Sequence, residues 1–200
     1  MYRSHFRLNQ RPFASAPNPE HYFPASSIEQ AREMLAINIE RASGISMVMG
    51  PVGSGKSLLC QLLASQFAGE LPVCMISSGR IRTREVLLQQ IVHGLGLPYH
   101  GLGEGDLRLT LRHHVEGQSC VKGILLIIDE AERLPLDLLE EIRALTNLAK
   151  EGQPSVRLVL VGTHRLEERV GNPKLESLNQ RIVGHYDGRR RNGHVLVMGL

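Results

Sequence analysis

Apolar and polar positions alternate in blocks from about residue 28 to residue 186. Runs with the length and composition of buried strands occur at four places: Ile45–Met49, Leu71–Ser77, Gly123–Asp129 and Val156–Val161. Stretches with apolar residues on a helical period predict helices at Ser26 to about Ala42, Lys56–Phe67, Thr83–Leu95, Asp106–Glu116, Pro135–Leu148 and Leu175–Gln180. Strands that are apolar on both faces and alternate with helices are typical of a parallel sheet covered on each side. The pattern therefore predicts an α/β fold of three layers.

Composition narrows the class of protein. The 200 residues are 42% hydrophobic with a formal net charge of +3, which fits one soluble domain and excludes a wholly disordered chain. The longest apolar runs are far shorter than the ~20 residues of a membrane span. Three widely spaced cysteines, Cys60, Cys74 and Cys120, argue against a disulfide framework and a zinc site. Together with a polar N-terminus, they lead us to expect a cytoplasmic protein.

The strongest motif lies between the first predicted strand and the second predicted helix. It reads Gly50-Pro51-Val52-Gly53-Ser54-Gly55-Lys56-Ser57 and fits G-x-x-x-x-G-K-[ST] at every fixed position. The glycines let backbone amides curl around phosphate oxygens, and the following helix adds its positive end. We expect Lys56 to reach the β- and γ-phosphates of a nucleotide and Ser57 to bind Mg²⁺.

A pair of acids ends the most apolar predicted strand, at Asp129 and Glu130. Two carboxylates at the end of a buried strand are costly without a cation nearby. In a phosphate-loop protein Asp129 is expected to hold Mg²⁺, and Glu130 to act on the attacking water. An acid pair favours a water-activating ATPase over a small-molecule kinase.

Two further candidate site residues are identified by their positions next to predicted strands. Thr163 comes directly after the strand Val156–Val161 and Gly162, and either senses the γ-phosphate or belongs to an ordinary turn. Arg181 precedes a final strand and is either an arginine finger for a neighbouring subunit's nucleotide or a solvated surface residue.

These four elements, in this order, resemble the AAA+ ATPases of the branch that includes origin-recognition and transposition ATPases. The N-terminal stretch resembles the opening of the general secretion pathway protein A (ExeA-like) ATPases. That likeness is carried by Met1-Tyr2-Arg3-Ser4-His5-Phe6-Arg7-Leu8, Arg11-Pro12-Phe13, Asn18-Pro19 and Tyr22-Phe23. Leu178-Asn179-Gln180-Arg181-Ile182 matches a second family pattern, whereas Thr163 stands where the family has glutamine and one extra residue precedes Phe6.

The resemblance implies a P-loop NTPase fold, binding and hydrolysis of ATP with Mg²⁺, and a homo-oligomer in the ATP state that places an arginine in trans. Residues 1–27 are expected to form an extended arm packed on the core, residues 28–186 the ATPase core, and residues 187–200 an atypical tail in place of the family's helical lid. That tail is either the product of a truncated or frameshifted gene or a natural short form.

Three functions stay open at this point. The first is an ATPase that changes the conformation of a partner, with secretion machinery implied by the resemblance. The second is an ATP-dependent DNA-binding regulator, which a sequence pI near 8.9 allows, although Arg189-Arg190-Arg191 is the one basic run. The third is a nucleotide-binding scaffold without turnover. The adjacent pair His113-His114 lacks the spacing of a helical zinc site.

Overall fold

The computed structural model describes residues 26–42, 44–117, 120 and 122–187. The expected arm, up to residue 25, and the tail from residue 188 onward lie outside these residues. Within them, no helix has the length and apolar character needed to cross a membrane.

A five-stranded parallel sheet forms the centre of the structure. Its strands are β1 (Ile45–Met49), β2 (Val73–Ser77), β3 (Ile124–Asp129), β6 (Val156–Gly162) and β7 (Ile182–Asp187). They lie in the order β2-β3-β6-β1-β7. The remaining two strands, β4 (Ala149–Lys150) and β5 (Gln153–Pro154), pair antiparallel to each other.

In the described part of the chain, seven helices accompany the strands. They are α1 (Ser26–Arg41), α2 (Lys56–Phe67), α3 (Arg84–Gly94), α4 (Glu104–Glu116), α5 (Leu136–Leu145), α6 (His164–Val170) and α7 (Glu176–Asn179). Short 3₁₀ turns occur at Ser78–Arg80, Ala131–Arg133 and Pro173–Leu175. The predicted three-layer α/β fold is confirmed.

Apolar residues on the two faces of the sheet form two separate cores. In β1, for example, Met47 packs into one core and Val48 into the other, and every residue of the strand is buried. Successive side chains of a strand point to opposite faces, so a strand covered on both sides is apolar at most positions, with Ser46 as the polar residue of β1. This requirement explains why the strands were readable as continuous apolar runs.

The predicted boundaries differ from the structure where local turn chemistry decides. Helix α4 begins at Glu104, two residues before the predicted start, because Gly103 is its N-cap. Helix α5 ends at Leu145, and the polypeptide then forms the small β4–β5 hairpin, which the pattern did not predict. Helix α6 was also missed, since seven residues carry too little periodicity to be recognised.

Parallel topology has one consequence for the site. The carboxyl ends of β1, β3 and β6 lie at the same edge of the sheet, here called the carboxyl edge. The segments that leave this edge begin at Gly50, Glu130 and Thr163, which are the positions that the sequence singled out. The opposite edge, where the strands begin, is here called the amino edge. Ligands of open parallel sheets bind at carboxyl ends, next to the point where strand order reverses.

Candidate functional site

The loop between β1 and α2 has the backbone that phosphate binding requires. Gly53 and Gly55 have φ of +80° and +84°, a conformation that residues with a Cβ rarely adopt. Gly55 is the N-cap of α2, and the first turn of this helix contains no acidic residue to neutralise its positive end. The hydroxyl oxygen of Ser54 is buried and has no hydrogen-bond partner among the described residues. A curled loop with an unpartnered hydroxyl fits phosphate oxygens as acceptors.

The ammonium group of Lys56 lies over this loop. Its Nζ donates to the carbonyl oxygens of Gly50 and Pro51, at 2.9 and 2.8 Å. Both carbonyls belong to the first turn of the loop, so the side chain folds back along it rather than extending into solvent. The predicted contact of Lys56 with the phosphates stays a prediction, but the charge is already held at the loop.

Ser57 and Asp129, which are 72 positions apart in the sequence, meet at the carboxyl edge. The hydroxyl of Ser57 donates to Oδ2 of Asp129 at 3.0 Å, and Oδ1 accepts from the backbone N–H of Glu130 at 2.8 Å. A hydroxyl and a carboxylate at the end of a phosphate loop are oxygen ligands of the kind that Mg²⁺ uses alongside phosphates. The residues present therefore fit a Mg–nucleotide complex.

Glu130 stands in an unusual backbone conformation. Its φ of +55° is in the left-handed region, which costs a residue with a side chain about 1–3 kcal/mol and occurs most often at functional sites. Its carbonyl oxygen accepts a hydrogen bond of 2.5 Å from the hydroxyl of Ser78. Its carboxylate contacts two groups, the hydroxyl of Ser77 at 3.2 Å and the guanidinium of Arg133 at 3.3 Å. Neither Ser77 nor Arg133 was a predicted site residue.

Thr163 lies at the carboxyl end of β6, next to the phosphate loop. The backbone N–H of Gly50 donates to the carbonyl of Gly162 at 3.2 Å, which fixes Thr163 beside the start of the loop. Its hydroxyl contacts neither Asp129 nor Glu130 in the described hydrogen bonds, but donates to Oε1 of Glu132 at 3.0 Å. The position agrees with a sensing role, which stays a prediction, and the partner is one that the sequence reasoning did not name.

Arg181 lies at the amino edge. Its carbonyl oxygen accepts from the N–H of Ile45, the first residue of β1, at 2.9 Å, and its exposed guanidinium donates to the hydroxyl of Thr146 at 3.1 Å. The phosphate loop begins after the last residue of the same strand. At ~3.3 Å per residue, β1 separates Arg181 from its own loop by roughly 15 Å. The structure thus groups the other predicted site residues and leaves Arg181 apart.

Comparison with protein families decides the relationship of this chain. A family model described as AAA domain matches residues 39–170, a span that includes the phosphate loop, the acid pair and Thr163. The chain belongs to the AAA domain family. The expected resemblance to AAA+ ATPases is thereby confirmed.

Individual relatives agree with this assignment. General secretion pathway protein A of Aeromonas hydrophila is 29% identical over 190 residues, which are 93% of this chain and 34% of that protein. The crystal structure of Cdc6p from Pyrobaculum aerophilum covers 86% of the chain with a TM-score of 0.63 at 18% identity. The ORC2 protein of Aeropyrum pernix covers 84% with a TM-score of 0.62 at 18% identity. At such identities the two structures show a shared fold.

This AAA-family chain is considerably shorter than these relatives. It spans about a third of general secretion pathway protein A, 47% of the Cdc6p chain and 50% of the ORC2 chain. The likeness therefore concerns one part of each of these longer chains.

The sequence contains only weak signals for the site residues that sequence reasoning missed. Glu132 and Arg133 follow the acid pair after one alanine, and a short turn after Glu130 would return either side chain to the same edge of the sheet. Ser77 ends the neighbouring strand, so its level with Asp129 follows from parallel register once the strand order is known. Strand order itself is not written in the sequence, and this is why Ser77 escaped notice.

Proposed function

We propose that this AAA-family chain binds ATP with Mg²⁺ at the phosphate loop and hydrolyses it to ADP and phosphate. One observation carries the proposal: the loop hydroxyl of Ser57 and the strand-end carboxylate of Asp129 lie 3.0 Å apart at the start of α2. A hydroxyl and a carboxylate that meet at one edge from positions 72 apart in the sequence are oxygen ligands suited to one small, hard cation.

Each residue then has a chemical task. Loop amides and Lys56 bind the phosphate oxygens, and Ser57 and Asp129 hold the metal, which neutralises charge on the phosphates when bound. Glu130 takes a proton from the attacking water. Arg133 keeps Oε1 of that carboxylate in place. Oε2 accepts a hydrogen bond from the hydroxyl of Ser77, and the attacking water replaces this serine as its partner.

Calorimetric titration with ATP, in the presence and absence of Mg²⁺, tests the binding. Lys56→Ala is expected to weaken ATP binding at least about 100-fold, because a charge-assisted contact to phosphate is lost in a confined loop. Ser57→Ala is expected to remove the effect of Mg²⁺ while leaving metal-independent binding in place. Lys174→Ala and Ser65→Ala, at exposed positions away from the loop, are the matched controls. Unchanged ATP affinity in Lys56→Ala would refute the proposed site.

We further propose that hydrolysis takes place in a homo-oligomer and drives a change in a protein partner. The separation of Arg181 from its own loop supports assembly, because the side chain is exposed at an edge where a second copy can meet it. Similarity to general secretion pathway protein A supports secretion machinery as the partner. A Glu130→Gln chain with ATP should retain secretion components that a Lys56→Ala chain does not retain, as identified by mass spectrometry. Equal retention by both would contradict an ATP-dependent partner.

A second candidate, ATP-dependent binding of DNA, has one structural observation in its favour. Arg80 and Arg82 lie between β2 and α3, on either side of the buried Ile81, and Arg84 is the first residue of α3; all three are exposed. Arg82 donates to the carbonyl oxygens of Ile81 and Gly79, and Arg84 lies 3.8 Å from Glu141. Three guanidinium groups at alternate positions are suited to a phosphate backbone.

A salt series distinguishes this candidate. DNA binding that requires ATP, weakens steeply with salt and is lost in Arg80→Ala/Arg82→Ala would favour it. Arg41→Ala/Arg112→Ala, which removes two exposed arginines elsewhere, is the control. Absence of binding at low salt would eliminate it.

A further inference from the structure

The hydroxyl of Thr163 is not used in the way its position suggests. Thr163 is the N-cap of α6, where a threonine side chain ordinarily accepts a hydrogen bond from an amide of the first turn. Within the described structure it makes no such cap and donates instead to Oε1 of Glu132, at 3.0 Å. The hydroxyl therefore contacts a carboxylate, and the helix cap, which would contribute about 1 kcal/mol, is not formed.

Glu132 is tightly placed. A Cβ added to Gly162 would lie 2.5 Å from Oε2 of Glu132 and 3.1 Å from Leu166, so the carboxylate rests against the backbone of β6 at a glycine. Oε2 is buried, and no residue in the described part of the chain bonds to it. A carboxylate packed in this way has little room to turn. It therefore keeps its other oxygen on Thr163.

Both side chains face the nucleotide end of the sheet. A cavity of about 710 Å³ opens beside the phosphate loop, and its walls include Val52 of the loop, Glu132 and Thr163. The hydroxyl of Thr163 thus has two prospective partners on this side, Glu132 and a group bound at the loop.

A threonine hydroxyl has one proton and two lone pairs. If the proton is donated to Glu132, the Thr163 oxygen is left with acceptor capacity alone. An acceptor binds the attacking water and gives nothing to a γ-phosphate, whose oxygens are acceptors as well. Which of the two roles Thr163 has is therefore decided by Glu132.

We propose that Glu132 is a positioning residue that accepts the hydrogen bond which the single hydroxyl proton of Thr163 can donate. The Thr163 oxygen then acts as an acceptor for the attacking water rather than as a donor to the γ-phosphate. This inference rests on the proposed hydrolysis of ATP. It assigns to Glu132 a function that neither the motif nor the family match specifies.

The test measures the ratio of ATP to ADP affinity, which reports on γ-phosphate contacts alone. In Glu132→Ala the hydroxyl of Thr163 is released and becomes a donor to the γ-phosphate. The ratio is expected to rise about tenfold, the effect of one added hydrogen bond to a charged group, while hydrolysis falls. The rise should vanish in Glu132→Ala/Thr163→Val. A rise that persists in the double variant would overturn the proposal, because it would then stem from removing a negative charge near the phosphate.

Two further variants complete the design. Glu168→Ala removes an exposed carboxylate that lines the same cavity, and its ratio should stay unchanged. Thr163→Val alone should lower hydrolysis without altering the ratio, because the wild-type hydroxyl is committed to Glu132. A lower ratio in Thr163→Val would refute the proposal even if Glu132→Ala failed to fold, which a thermal unfolding curve would reveal. Wild-type protein that binds no ATP would instead refute the proposed function itself.

Discussion

The two edges of the sheet are built on opposite principles. At the carboxyl edge, polar atoms such as Ser54 Oγ and Glu132 Oε2 are buried without partners among the described residues. A Cβ added to the exposed Gly53 would meet nothing within 4 Å, so the space beside the loop is open. At the amino edge, a Cβ added to Gly123 would lie 2.1 Å from the carbonyl oxygen of Ser155, and one on Gly44 would lie 2.7 Å from that of Arg181. The carboxyl edge thus leaves polar atoms and open space beside the loop, whereas at the amino edge these two glycines lie against backbone carbonyls, next to a cavity of about 320 Å³ lined by Gly44 and Arg181.

This difference bears on where Arg181 acts. It is attached to the amino edge, and the length of β1 lies between it and its own phosphate loop. A side chain held there acts on a nucleotide only if the nucleotide belongs to another copy, in a head-to-tail contact. The comparison predicts that loss of a carboxyl-edge group and loss of Arg181 have different consequences when copies are mixed.

The largest expected effect is at the carboxyl edge. Glu130→Gln should lower kcat about 1,000-fold while ATP binding persists, since an amide takes no proton from water but occupies the same space. Phosphate release and calorimetry measure the two quantities. Glu151→Gln, at an exposed position in the β4–β5 turn, should leave both unchanged. Turnover near the wild-type rate in Glu130→Gln would remove Glu130 from the role of base.

The next largest effect is at the amino edge. Arg181→Ala should lower kcat about 100-fold with ATP affinity retained, because one donor to the developing charge is lost. Mixing this variant with Glu130→Gln should restore part of the activity, since a Glu130→Gln copy still offers its arginine to an intact site next to it. Arg41→Ala, which alters an exposed arginine at the end of α1, is the control. Mixtures that stay inactive would show that Arg181 acts in its own subunit or has no role in hydrolysis.

The sequence was sufficient for the fold and for the order of the site, for a physical reason. Strands buried on both faces are apolar at most positions, and the glycines of the phosphate loop are needed for backbone angles that few other residues adopt. Both requirements are therefore visible in the local sequence. The positions of Lys56, Ser57 and Asp129 at one edge then followed from strand–loop–helix context.

The contacts between side chains were not predictable in the same way. Glu132 looked like an ordinary polar residue in a turn, and its importance depends on how close Gly162 comes to it in space. The location of Arg181 at the amino edge depends on the parallel direction of β7 beside β1. Such facts arise from tertiary packing between segments 30 or more residues apart, and a single sequence contains no pairing information of that kind.

Stability provides a third comparison of the edges. Gly123→Ala should lower the free energy of unfolding by at least about 3 kcal/mol, because a positive φ of +80° and a clash with backbone act together. Gly53→Ala has the same φ but open space, and should cost about 1 kcal/mol. Urea unfolding of both variants measures the difference. Equal losses would show that backbone angle alone decides, and that the amino edge is no more tightly closed than the loop.

The smallest expected effect is a change of stability with pH, and it concerns β7, which runs beside β1 from the amino edge to the carboxyl edge. Burial lowers the pKa of His185 below its ordinary 6.5, an effect that the nearby carboxylate of Glu167 partly offsets. The unfolded chain therefore takes up a proton before the folded chain does. The stabilisation from neutral His185 is complete above about pH 6.5 and is lost as the pH falls through the folded-state value.

Urea unfolding between pH 7.5 and 5 should show this loss, and His185→Asn should make the profile flatter by an amount well below the cost of Gly123→Ala. If acid weakened β7 without affecting the carboxyl edge, ATP binding would persist at a pH where mixtures of Arg181→Ala and Glu130→Gln had already lost their restored activity. A parallel decline of both would instead mean that the two edges unfold as one unit, because β1 connects them through its pairing with β7 over its whole length.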